Sequence, residues 1–243
     1  MRLDLLLVER GLADSAQKAA AIILAGEVLV DGIRVEKAGT RIATISRIAI
    51  TGRTQRFVSR GGFKLEGALE DFSIDPSGLV ALDIGSSHGG FTDCLLQHGA
   101  ARVCAVDVNV EQLDWKLRRD ARVIPIKRNA RELQATDVTE LVDLVLIDVS
   151  FISVTKVLVP TAKLAKQGAH FLILVKPQFE LPREEVGRGG IVKNEKLHEK
   201  AILVVRKHAE SIGLEFLGVR QSRLPGTEGN LEYFLHARKK SLE

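Results

Sequence analysis

The sequence predicts an α/β protein: a doubly wound parallel sheet preceded by a small α+β unit. Three observations carry this expectation. From residue 79 onward, apolar runs of strand length alternate with stretches of helical periodicity, as a parallel sheet with helical crossovers reads. Four of those runs end in a charged residue (Asp83, Asp107, Asp148 and Lys176), at the carboxyl strand ends where open sheets bind ligands. The first sixty residues read differently, as two short helices, a hairpin and a basic tail.

Residues 3–10 carry leucines at helical spacing and stop at Gly11, and Asp14-Ser15 can cap a second helix that runs to Leu24 and ends at Gly26. Val28-Leu-Val-Asp31-Gly32-Ile-Arg-Val35 is a hairpin signal, because Asp-Gly supplies the positive φ angles of a type I′ turn. Residues 41–50 read as a strand-rich tail. A unit of about sixty residues is small for an independent core. Residues 51–62 are polar, basic and glycine-bearing, and read as the crossing between a first domain, 1–58, and a second, 59–243.

In the second domain residues 63–69 read as a helix leading into a first strand that ends near Asp83. Residues 101–106 are a second strand and 110–119 a helix holding Trp115, which is expected to be a core or pocket-wall residue rather than a base-stacking platform. Further strands are expected at 122–126, 141–147 and 169–175, with a helix at 154–165. An Arg/Gly-rich loop at 183–190 precedes a helix starting near Asn194, and strands at 215–220 and 231–237 close the sheet as an antiparallel hairpin.

The stretch Val80-Ala-Leu-Asp-Ile-Gly-Ser-Ser-His-Gly-Gly-Phe-Thr-Asp-Cys94 organises this domain. Strand, glycine turn and helix make a nucleotide pocket: glycines let the backbone approach the ligand, and the helix start offers free N–H groups. The turn does not fit G-x-G-x-x-G, and Asp83 would crowd a pyrophosphate, which disfavours a nucleotide-dependent dehydrogenase. An acid there suits a ligand with an amine, such as the methionine end of S-adenosylmethionine, and Asp107 falls where a ribose-binding acid is expected. The candidate cofactor set is Asp83, Gly85, Ser86, Gly89, Gly90, Phe91, Asp107, Val108, Asn129 and Asp148.

Composition narrows the class. With 45% hydrophobic and 27% charged residues the chain can bury a substantial core. It has no membrane-length apolar run, and its first residues lack the apolar core of a secretion signal, so a cytoplasmic protein is expected. The two cysteines, Cys94 and Cys104, make no disulfide framework and no metal-ligand spacing, so no metal is expected. The net charge of +4 is local: the first sixty residues hold ten Lys/Arg against six Asp/Glu, and no acid lies between Lys37 and Lys64. One-sided cationic charge favours a polyanion, with Arg2, Lys18, Arg41, Arg47 and Arg60 as candidate RNA contacts.

Arg2-Leu-Asp-x-x-Leu, then Ala19, Ile22 and Gly26-x-Val28-x-Val30-Asp31-Gly32, resembles the small RNA-binding domain of the S-four type (the alpha-L fold). Ser15-Ala16 stands where members often carry Ser-Arg. The second domain resembles the FtsJ-like ribose 2′-O-methyltransferases, and the full chain the TlyA (hemolysin A) group, in which an S-four-type domain precedes that catalytic fold. The resemblance rests on Ser59-Arg-Gly-Gly-Phe-Lys64, the glycine turn through Gln97, Asp148-Val-Ser-Phe-Ile-Ser153, Val175-Lys-Pro-Gln-Phe-Glu180, Gly190-Ile-Val-Lys193 and Gly229-Asn-Leu-Glu-Tyr-Phe234. His88 stands where the family usually has threonine. The resemblance implies a Rossmann-like class I methyltransferase sheet using S-adenosylmethionine, a Lys64-Asp148-Lys176-Glu232 tetrad, and cytidine ribose in ribosomal RNA or ribosomal subunits as substrate. A monomer is expected.

The tetrad suits that chemistry, since a ribose hydroxyl must lose its proton as it attacks. Lys176 is the expected base; Lys64 would lower its pKa as a like charge and Asp148 would oppose that, so which lysine is neutral stays open. Asp148 and Glu232 would orient the lysines. Lys-Pro-Gln-Phe also argues against amine methylation. The rival readings are a non-catalytic RNA-binding factor and a cytolysin; the first would have lost tetrad residues, and the second needs an inserting segment that the sequence does not display.

Overall fold

The structure is a computed structural model and describes all residues except Asp14, Ala25, residues 51–55, Thr227 and residues 241–243, together with the Arg188 side chain. The chain divides into two compact units, Met1–Arg56 and Phe57–Glu243.

The first unit holds α1 (Leu3–Glu9), α2 (Ala16–Leu24), β1 (Val28–Val30), β2 (Ile33–Arg34) and β3 (Ile48–Ile50). Its sheet has the order β2-β1-β3, antiparallel throughout. The β1–β2 turn places Asp31 at φ 50° and Gly32 at φ 84°, as a type I′ turn requires. Leu3 and Leu7 from α1 meet Ala19 and Ile23 from α2 over Val28 and Val30, which is the pairing that four-residue helical spacing gives. The expected strand-rich tail is shorter than its composition suggests. Only Ile48–Ile50 is strand, and Arg41 makes an isolated bridge to Arg2. Arg10 donates to the carbonyls of Thr44 and Ser46, so this segment is held by a side chain where a ladder was expected.

The second unit is built from α3 (Gly61–Asp71), β4 (Val80–Ile84), α4 (Gly90–Gln97), β5 (Arg102–Asp107), α5 (Trp115–Arg119), β6 (Val123–Lys127) and β7 (Val142–Ile147). There follow α6 (Thr155–Lys163), β8 (Ala165–Val175), α7 (Pro177–Glu180), α8 (Glu195–Ser211), β9 (Leu214–Gln221) and β10 (Tyr233–Lys239). The seven strands run in the order β6-β5-β4-β7-β8-β10-β9. The pairings from β6 through β8 are parallel, and β10 is antiparallel to both β8 and β9. Separate apolar layers cover the two faces, so β4 is buried along its whole length, which is why its sequence is continuous rather than alternating.

Two expectations change. The helix expected at 110–119 breaks into a 3₁₀ turn, Val110–Gln112, and α5. The backbone leaves the helical region at Leu113 and Asp114 (ψ 134° and 140°), and the Asp114 carboxylate caps α5 by accepting from the Lys116 N–H at 2.9 Å. Leu113 and Leu117 then take the buried positions, and Trp115, expected in the core or pocket wall, is 51% exposed.

The expected crossing at 51–62 lies outside the described residues at 51–55; from Phe57 on it is packed into the second unit. Phe57 is fully buried, edge-on to Phe63 at 5.0 Å between ring centres, a burial that contributes about 1.5–3 kcal/mol. Gly62 is small because a Cβ there would overlap the Phe57 ring. Among the described residues, no helix is long and apolar enough to cross a membrane.

Candidate active site

The site forms at the carboxyl ends of the parallel strands. Asp83 is the fourth residue of β4 and is 1% exposed; Thr92 Oγ1 donates to its Oδ2 at 2.6 Å. Among the described residues its Oδ1 is buried without a partner, as is Ser86 Oγ. Burial pushes the Asp83 carboxyl up to about 7, against the Thr92 hydrogen bond and with help from the charges of Asp148 and Asp107. The turn bends at Gly85, φ 82°, where a Cβ would be driven into the carbonyl oxygen of Asp148. Gly89, at φ 92°, ends it, with Leu113 and Leu117 against its open side. Only glycine combines those angles with that proximity.

Asp148 follows β7 and Lys176 follows β8. Lys176 Nζ stands 2.6 Å from Asp148 Oδ1 and donates to Ser150 Oγ at 2.9 Å. The contact with Asp148 is an ion pair without the directionality of a hydrogen bond. The register of the last strand explains the fourth member. Tyr233 pairs with Val175, so Glu232, immediately before an antiparallel strand, lands at the same sheet edge as Lys176. Glu232 is 3% exposed and accepts from Lys64 Nζ of α3 at 2.6 Å. A Cβ on Gly226 would approach its Oε1 to 2.6 Å, so the loop closes over the carboxylate.

These four residues and Asp83, Gly85, Ser86, Gly90 and Phe91 line one cavity of about 590 Å³. Asp107, Val108 and Asn129 do not line it. Asp107 accepts from the Ser87 and Asn109 N–H groups at 3.0 and 2.9 Å, Val108 is 65% exposed, and Asn129 caps the 3₁₀ turn Ala130–Glu132. Gly89 supports the turn from behind. Of the candidate RNA contacts, Lys18, Arg41 and Arg47 are exposed on the first unit. Arg2 is clamped to Asp4, with nitrogen–oxygen distances of 3.1 and 2.6 Å. Arg60 belongs to the second unit and lines the cavity, its Nη2 reaching the Pro225 carbonyl at 3.4 Å.

Sequence reasoning missed several participants. Phe151 is 88% exposed with φ 66°, a strained value for a non-glycine residue, and its ring lies 5.4 Å from that of Phe179; both line the cavity. Asn230 is 1% exposed; it accepts from the Val192 N–H and donates to the Gly190 carbonyl, each at 2.9 Å, and so ties the glycine loop to the Glu232 segment. Both residues lay inside quoted motifs, but no periodicity or charge marked them.

An unpartnered buried carboxylate oxygen and a glycine cradle fit the amino-acid end and backbone approach of S-adenosylmethionine. Residues 57–239 match the FtsJ-like methyltransferase family model. The chain belongs to the FtsJ-like methyltransferase family. Residues 1–44 match the S4 domain. The chain is 45% identical to the 16S/23S rRNA (cytidine-2'-O)-methyltransferase TlyA of Mycobacterium tuberculosis, over 98% of this chain and 89% of that one. It is 39% identical to Hemolysin A of Brachyspira hyodysenteriae, over 97% and 99% respectively. A solved Streptococcus thermophilus structure named as a hemolysin is similar with a TM-score of 0.78 and 40% identity, over 99% of this chain and 89% of that one.

Proposed function

We propose that this protein transfers a methyl group from S-adenosylmethionine to the ribose 2′-hydroxyl of cytidine in ribosomal RNA. One observation carries the reading: two ion pairs, Lys176–Asp148 and Lys64–Glu232, face the cavity that also holds the buried Asp83 carboxylate. When bound, S-adenosylmethionine supplies an electrophilic methyl group on a sulfonium. Asp83 would hold the ammonium of its amino-acid end, and the Gly85 turn would admit it against the backbone. Lys176, directed by Asp148 and Ser150, first gives its ammonium proton to solvent and then, as the neutral amine, accepts the hydroxyl proton. Lys64, held by Glu232, fixes the ribose and keeps the paired charges balanced. Positioning hydroxyl against methyl supplies most of the acceleration.

Phe151 and Phe179 offer the target base a stacking face, which gives the strained backbone at Phe151 a purpose. Residues 1–58 serve as the RNA-binding domain, with Lys18, Arg41 and Arg47 meeting phosphates. The protein acts as a monomer in the cytoplasm, where ribosomes are. The hemolysin name of some relatives is not carried over, because paired lysines around a buried carboxylate serve group transfer.

The test is transfer of labelled methyl from S-adenosylmethionine to unmodified ribosomal subunits and to naked ribosomal RNA, followed by alkaline digestion. Alkali does not cleave beside a methylated 2′-oxygen. Label in an alkali-resistant dinucleotide is the expected result. Label in mononucleotides would mean base methylation, and absence of label with cofactor bound would favour the binding-factor reading.

A further inference from the structure

Trp115 is the chain's single tryptophan, and half of it faces solvent. Leu113 and Leu117, four residues apart, are buried on either side of it, so the residue between them points away from the core. Arg119 and Lys116 stand 5.5 and 6.0 Å from the indole centre, and Arg118 is exposed beside them. Just beyond α5, Arg122, Lys127 and Arg128 are each matched by an acid (Asp120, Glu111 and Asp137). Among the described residues no carboxylate forms an ion pair with Lys116, Arg118 or Arg119. A half-exposed indole with cations over its ring that no carboxylate pairs, Glu111 reaching Arg118 only as a longer-range charge, is a combination that binds single-stranded nucleic acid, phosphates on the cations and a base on the ring.

We infer that α5 is a stacking platform for an unpaired nucleotide of the RNA substrate, separate from the nucleotide being methylated. The inference rests on the RNA-methyltransferase reading and adds a contact in the catalytic unit to the basic first unit. α5 is fixed to the cofactor turn: Leu113 and Leu117 back Gly89, and the Asp114 N–H donates to the His88 carbonyl at 3.2 Å. RNA held on Trp115 is thereby held at a set distance from the methyl-transfer site. A continuous duplex offers the ring no free base face, so the platform selects unpaired RNA.

The single tryptophan gives a direct readout in the unmodified full chain. A short single-stranded cytidine-bearing RNA should quench its fluorescence and shield it from iodide, whereas a duplex of equal length should do neither. Trp115→Ala should weaken binding of fluorophore-labelled RNA, followed by anisotropy, about tenfold. It should raise the KM for RNA with kcat and cofactor affinity retained, and Trp115→Phe should restore most of the loss. Lys116→Glu with Arg119→Glu should flatten the salt dependence of binding. RNA that binds by anisotropy without altering the fluorescence would overturn the platform and leave the function standing. Full quenching by S-adenosylmethionine alone, with no further effect of RNA, would assign Trp115 to the cofactor wall instead. Failure of every RNA to bind would overturn both readings.

Discussion

Gly85 and Asp148 touch across the sheet: a Cβ on Gly85 would overlap the Asp148 carbonyl oxygen. The glycine turn after β4 and the end of β7 that carries Asp148 are therefore one packed unit. Gly85→Ala must adopt φ 82° with a side chain and displace the backbone that carries Asp148. Strain of this kind costs about 1–3 kcal/mol. We expect a lowered melting temperature and loss of both cofactor binding and transfer. A variant with wild-type melting and activity would show that the two strand ends are independent.

Lys176 and Lys64 differ in their surroundings, and their variants should differ too. Lys176→Ala removes the proposed proton acceptor and should lower kcat by about 10²–10⁴-fold, the usual range for general bases, with S-adenosylmethionine affinity unchanged by calorimetry. Lys64→Ala also leaves Glu232 buried and unpaired, because Glu232 is only 3% exposed. Breaking such a pair costs about 3–5 kcal/mol, so this variant should melt earlier, and Lys64→Ala/Glu232→Gln should recover stability without activity. Retained activity in Lys176→Ala would remove that lysine as base.

How far these sites were legible in sequence follows from their physics. Asp83, Asp148 and Lys176 could be read because each ends an apolar run, and run ends of a parallel sheet converge at one edge. Glu232 was named through resemblance; its physical reason, the antiparallel register that sets Tyr233 opposite Val175, is a long-range pairing that no local pattern encodes. Trp115 was misplaced because a helical period was extended through Asp114, whose capping role depends on the Leu113 and Leu117 packing behind it. Phe151 was missed because positive φ leaves no mark on residue type when the residue is not glycine.

The Asp83 carboxyl predicts how cofactor binding depends on pH. Folding raises it from an ordinary carboxylate value of 3.8 to about 7. Its contribution to the stability of the free protein is therefore present below pH 3.8, lost as pH rises to about 7, and constant above. Binding an ammonium group requires the ionised carboxylate, so S-adenosylmethionine affinity should rise up to about tenfold per pH unit below 7, level off above it, and fall again once the ligand's amino group loses its proton above about 8. Calorimetry near pH 6 in buffers of different ionisation enthalpy should record about one proton released. Asp83→Asn should bind weakly at every pH with no proton release; an unchanged slope in that variant would assign the titration elsewhere.

Phe151 holds a left-handed backbone while 88% exposed, so its conformation gains little from burial and is costly to a side chain. Phe151→Gly should relieve that strain and leave the protein as stable or up to about 1 kcal/mol more stable. The same change deletes the ring opposite Phe179, so the KM for RNA should rise while cofactor affinity stays constant. Phe151→Tyr, which keeps the ring, should retain the wild-type KM. Stability and substrate affinity moving in opposite directions is the signature of a residue kept for its ligand. A Phe151→Gly variant that lost stability and kept its KM would assign the ring to packing against Phe179 alone.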